Sequence, residues 1–328
     1  MSNEMTSDIY KLYESFYNTM DINVKRFIFS KFSCLIKIFP SCTFINEMYY
    51  NLLKYTERNY RQLEYLNERD KQKTQNFIKA NEKYIEDLVP FGKKIQNETS
   101  FVEVPAYYLD MILDSFFQYI SPVLNEFYHR MNREGRILIN NINCLPLNTN
   151  DKKHVHNGFV DYLSVNEPKC YIYLNSYNSF MDMAILAHEM GHAYYSYVND
   201  INFNDFSDNN QIIKSEIPSK MLEILLVRYL KEIGYFKEAR SIMNVFNKRI
   251  TEDRNYKNRM SKLKYSIGGF IGSQYADLIN NYSIEDIFHH IFLTDFRNLL
   301  DTSDKHFEDG FTEVIPSYSL LKTYSKVF

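Results

Sequence analysis

Between residues 49 and 88 apolar positions such as Leu52, Leu53, Leu63, Leu66, Phe77 and Ile78 recur among charges, without a Gly or a Pro. The charges alternate in sign at three- and four-residue spacings, which predicts long exposed helix. A coiled-coil arm is an alternative, but its heptad is imperfect. Pro90, Phe91 and Gly92 end this run. Pro105 suits the first turn of a following helix, which the pattern extends to about Gly135. From Arg136 to Tyr177 the texture changes to Pro, Gly, Asn and Asp, with two β-like pieces, Arg136 to Asn140 and Cys170 to Asn175. Helix resumes near Phe180, with Ser179 as N-cap and Asp182 at the positive helix end. A polar loop covers Asn199 to Asn210. A strong helix is expected from Ser215 to Gly234 and mostly helix from Phe236 to Asn281.

The pattern thus predicts a mainly α protein with one small sheet and no internal repeat. At 328 residues it divides into about two domains. We place an N-terminal helical lobe at residues 1–100 and a functional lobe at 101–328. Apolar residues form 45% and charged residues 24%, which excludes wholesale disorder. With 38 basic and 41 acidic residues the net charge is −3, so nothing marks a nucleic-acid binder. The most apolar window, Arg26 to Ile45, is interrupted by Lys31, Lys37 and Pro40, so no membrane span is expected. Residues 1–10 are polar and carry no signal-peptide pattern. Cys34, Cys42, Cys144 and Cys170 form no CxxC pair, which fits reduced, packed thiols and a cytoplasmic location. With 28 Tyr in the chain, a single tyrosine is first read as core.

The candidate chemistry lies in Ala187-His188-Glu189-Met190-Gly191-His192-Ala193. Two histidines four apart project from one helix face and can chelate one metal ion. Glu189 follows about 100° around the helix, close enough to act on a metal-bound water. This is the HExxH arrangement of zinc hydrolases, implying one Zn2+ per chain. The next helix offers Glu216 and Glu223, seven apart and on one face. Either carboxylate can be the third ligand, the other accepting a hydrogen bond from a ligand imidazole.

These residues resemble the oligoendopeptidase F branch of the thimet oligopeptidase family. Asp182 to Ala193 is similar to its D-x-x-T-L-A-H-E-x-G-H-A segment, with Ile185 in place of Thr. Glu216, Ser219 and Glu223 fit its E-x-x-S-x-x-x-E pattern. The resemblance covers roughly residues 101–328. It implies a helical zinc-peptidase catalytic lobe with one small β-sheet beside the active-site cleft and a reduced N-terminal helical lobe. It also implies His188, His192 and Glu216 as ligands and Glu189 as general base. Glu223 and Asp182 would stand behind them. Gly158 and Phe159 match the family's Gly-aromatic segment. Cys170 to Tyr177 sits where the family has an edge strand that binds substrate backbone, which makes Tyr171 and Tyr173 substrate-binding candidates. His154 and His156, which flank this segment, are read as surface or structural.

Two positions depart from the family. Tyr195 replaces a frequent histidine. The family's C-terminal tyrosine cluster reduces here to Tyr265, with Leu263 at a family tyrosine and Tyr256 and Tyr275 as alternative oxyanion donors. Gly268, Gly269 and Gly272 make that helix thin. The implied function is a zinc endopeptidase of short unfolded peptides, without nucleic-acid or membrane partners. The alternatives are a zinc-containing peptide-binding protein without turnover, or a maturation protease for one partner peptide.

Overall fold

The computed structural model describes residues 1–59, 68–69, 72–73, 75–76, 79, 102–139, 158–164, 168–201, 209–252, 268–269, 271–294 and 299. The N-terminal region forms α1 (Asn3–Asn18), α2 (Ile22–Ile38) and α3 (Thr43–Arg58). Ser2 and Asp21 cap the first two, their side chains accepting from Met5 N and Asn23 N. The apolar window at Arg26 to Ile45 is mostly α2, whose Ile28, Phe32, Leu35 and Ile38 face inward at helical spacing. Among the described residues, no helix is long and apolar enough to cross a membrane. The helical run expected beyond Arg58 lies mostly outside the described residues, as does the break at Pro90 to Gly92.

The single helix expected from Pro105 to Gly135 is two: α4 (Ala106–Ile120) and α5 (Pro122–Arg133). Ser121 is extended (φ −161°, ψ 125°), and its hydroxyl accepts from Val123 N and Leu124 N while Pro122 opens α5. A Ser-Pro pair inside an unbroken apolar pattern therefore ends one helix and caps the next. Pro105 is the N-cap of α4, with extended ψ (137°), and not its first turn.

Three strands follow: β1 (Ile137–Ile139), β2 (Gly158–Tyr162) and β3 (Cys170–Leu174). The strand at β2 was not expected. The sheet order is β1-β3-β2, with β1 parallel and β2 antiparallel to β3. This corrects the expectation of an edge strand: Cys170–Leu174 is central, and both its edges are already paired.

The remaining elements are α6 (Phe180–Val198), α7 (Asn209–Glu232), α8 (Phe236–Glu252) and α9 (Ile284–Leu293), with helical residues at 268–269 and 271–275 and a 3-10 turn at Ala276–Asn280. Helix α7 starts six residues before the expected Ser215. Every residue of α6 from Phe180 to Ser196 is buried, so this helix is enclosed on all sides.

The sheet divides two apolar cores. Cys170, Ile172 and Leu174 face α6 and the large core. Tyr171 and Tyr173, alternating with them, face the core built by α1, α2 and α3. Polar contacts reinforce that junction. Tyr171 donates to Asp8 Oδ2 at 2.7 Å, Lys169 Nζ lies 2.9 Å from the same oxygen, and Lys31 pairs with buried Asp161.

Candidate metal centre

Helix α6 begins with a reciprocal cap. Ser179 Oγ accepts from Asp182 N at 3.2 Å, and Asp182 Oδ2 accepts from Ser179 Oγ at 2.8 Å and Asn178 N at 3.1 Å. Asp182 Oδ1 also accepts from Ser176 Oγ at 3.0 Å. Asp182 therefore organises the turn into α6. It lies six residues, roughly 9 Å of helix rise, before His188. Asp182 was expected to stand behind the metal ligands; the contacts it makes are those of this cap.

His188 and His192 are 8% and 9% exposed, their rings 4.9 Å apart and nearly perpendicular at 83°. One ligand atom each from His188, Glu189 and His192 fall within 4.8 Å of one another. Helix α7 brings in a further carboxylate. Glu216, fully buried, lies with Oε2 3.6 Å from His188 Nε2 and Oε1 3.7 Å from His192 Nε2. Glu223, two turns on, places Oε1 2.7 Å from His188 Nδ1. The sequence left these two glutamates open as third ligand; geometrically, Glu216 faces both Nε2 atoms and Glu223 faces the far side of one ring.

A close helix crossing produces this arrangement. A Cβ on Gly191 would lie 2.5 Å from Ser219 Cα and 2.9 Å from Ser219 N, so only glycine permits α6 and α7 to approach so far. Pro218 lies inside α7 beside this crossing and has no N–H to donate within the helix. A Cβ on Gly268 would lie 2.7 Å from Glu216 Cβ. A second glycine thus lies against Glu216 itself, next to the turn that Gly191 approaches.

The donor set fits a divalent ion. Three buried carboxylates, Glu189, Glu216 and Glu223, lie here, and the buried Lys220 ammonium pairs with Glu223. Carboxylates buried beside histidines are the kind of charge that is paired or bound to metal. Burial opposes the charge on Glu223. Lys220 and His188 outweigh it and hold the carboxyl below its ordinary range.

The other expected residues separate by place. Gly158 is a packing residue: a Cβ there would lie 2.6 Å from Ile185 Cγ2 and 2.8 Å from Leu174 Cδ2, so it lets β2 lie close to α6. Phe159 stacks on Tyr173, with centroids 4.9 Å apart. Tyr171 and Tyr173 are enclosed between the sheet and the N-terminal helices, where burial pushes both phenols up. Their side chains are committed to packing and to Asp8, which replaces the expected contact with substrate. Tyr195 is buried and donates to Gln211 Oε1 at 3.4 Å. Tyr275 is buried against His290, and burial raises its phenol. Tyr265, Tyr256, His154, His156 and Cys144 lie outside the described residues.

Sequence reasoning passed over Lys220, which binds both oxygens of Glu223 at 2.9 and 2.8 Å. Its signal was available: a lysine three residues before Glu223, set between Ile217 and the apolar pair Met221-Leu222.

Helices around a buried histidine–carboxylate cluster able to hold a metal ion define the class of protein. Residues 91–282, more than half of the chain, match the model of peptidase family M3, and the chain belongs to that family. It shares its fold with a Bacillus anthracis protein assigned as an oligoendopeptidase F, at 12% identity and a TM-score of 0.51. The match covers 86% of this chain and 65% of that one, so the chain spans about two thirds of the length of that structure. No curated protein sequence matches it.

Proposed function

We propose that the chain is a zinc-dependent endopeptidase that hydrolyses internal bonds of short, unfolded peptides. One observation carries the reading: the α6–α7 crossing sets the Glu216 carboxylate 3.6 and 3.7 Å from the Nε2 atoms of His188 and His192, with Glu189 in the same cluster. Membership of peptidase family M3 supports it.

In this reading His188, His192 and Glu216 hold the zinc, and Glu223 orients the His188 ring. When bound, zinc would supply Lewis acidity toward the scissile carbonyl and an attacking water. Glu189 removes the water proton and delivers it to the leaving amine. Its low exposure favours this exchange, because a carboxylate shielded from bulk water keeps the proton within the site. Tyr265 donates its O–H to the developing oxyanion. In this reading residues 101–328 carry this machinery, and residues 1–100 are the reduced N-terminal lobe.

The test is to incubate the purified, zinc-loaded protein with a mixed peptide library and identify products by mass spectrometry. Internal cleavage is expected, while intact casein stays uncut. Glu189→Gln keeps its zinc and loses at least about 10²-fold in rate. Full zinc content with no cleavage of any peptide would replace this reading with that of a peptide-binding protein.

A further inference from the structure

We propose that Lys220 is a positioning residue of the metal site: it clamps Glu223 so that Oε1 faces His188 Nδ1, leaving Nε2 of that ring to face the metal. The inference rests on the proposed reading of His188 as a zinc ligand.

The geometry is specific. Lys220 Nζ lies 2.9 Å from Glu223 Oε1 and 2.8 Å from Oε2, so one ammonium engages both oxygens. Glu223 Oε1 is shared with His188 Nδ1 at 2.7 Å. An ionised carboxylate only accepts, and an ammonium only donates. With Lys220 on one side, Glu223 is held with Oε1 close to the Nδ1 edge of the imidazole. An imidazole that donates from Nδ1 carries its lone pair on Nε2, the atom that faces Glu216.

The clamp is also rigid. Lys220 and Glu223 are three residues apart on α7, one above the other on the helix surface. Their side chains are 9% and 4% exposed. Gly272 lets the helical segment 271–275 press onto this turn, since a Cβ there would lie 3.1 Å from Lys220 Cβ and 3.0 Å from Met221 N. An ammonium is rarely buried this deeply without a fixed counter-charge. Its charge also offsets that of Glu223.

The alternative is that Lys220 and Glu223 only staple α7, with no consequence for the metal. The experiment measures zinc affinity of the full chain by chelator competition, alongside the melting temperature of the metal-free protein. The variants are Lys220→Met, Lys220→Arg, Glu223→Gln and the double Lys220→Met/Glu223→Gln. Lys220→Met should weaken zinc roughly 10- to 100-fold, as removal of groups behind metal ligands does, and Lys220→Arg should restore most of that loss. In the Glu223→Gln background, Lys220→Met should change zinc affinity no further, because Lys220 acts through Glu223.

Wild-type affinity in Lys220→Met overturns the proposal, and so does an equal loss in both backgrounds. Should Lys220→Met fail to fold, the double variant, which leaves neither charge unpaired, is compared with Glu223→Gln alone. Equal affinities then support the proposal and a further loss overturns it. A wild-type chain that holds no zinc removes the metal reading and this role together. Intact zinc binding that ignores Lys220 removes this role alone.

Discussion

Gly191 of α6 and Ser219 of α7 meet backbone to backbone, so close that a Cβ on the glycine would lie 2.5 Å from Ser219 Cα. No side chain stands between the helices there, and the spacing sets how far Glu216 reaches toward His188 and His192. Gly191→Ala therefore forces the helices apart. We expect a loss of about 1–3 kcal/mol in stability from overpacking, together with weaker zinc binding. A thermal melt and a chelator titration check it; an unchanged melt would show that the crossing yields without cost.

Glu216 is the carboxylate that faces both histidine Nε2 atoms. Glu216→Ala leaves two histidines for the metal, and zinc content by elemental analysis should fall well below one per chain. Unchanged zinc in that variant would move the third ligand to another residue.

Tyr171 separates packing from substrate contact. Its O–H donates to Asp8 across the junction with α1. Tyr171→Phe should cost about 1 kcal/mol, the usual net worth of one such bond, read as a lower urea midpoint. Turnover per folded molecule should not change. A raised KM with an unchanged midpoint would place this residue at the substrate after all.

Tyr265 is the proposed oxyanion donor. Tyr265→Phe removes one O–H and little volume. Zinc content and melting temperature should hold while kcat falls about 10²-fold or more, as when other oxyanion donors are removed. KM should move little, because the bond forms only in the transition state. A stability loss with normal kcat would make it a core residue, and a rate loss confined to Tyr256→Phe or Tyr275→Phe would reassign the role.

Local rules were enough for much of this architecture. Ser179 and Asp182 announced the start of α6 because a helix cap is made by residues three apart. The pitch from His188 to His192 put two imidazoles on one face because four residues nearly complete a turn. The β-rich run at Cys170 was legible as a strand. The break at Ser121 was missed because apolar positions continue through it, although the Ser-Pro pair was itself a stop-and-cap signal.

What the amino-acid order alone determined, then, was the helical class, the paired histidines with Glu189, and the existence of the strand. Tertiary structure decided the strand's place and the division of labour between Glu216 and Glu223. Strand order depends on partners distant in the chain, and only their pairing made Cys170–Leu174 central and turned Tyr171 and Tyr173 into core. Two glutamates seven apart share a face of α7 whatever lies opposite. The crossing at Gly191 and Ser219 brings one to both Nε2 atoms and the other, with Lys220, to Nδ1 of His188. Spacing along one helix cannot contain that distinction, because it is set by where a second helix crosses it.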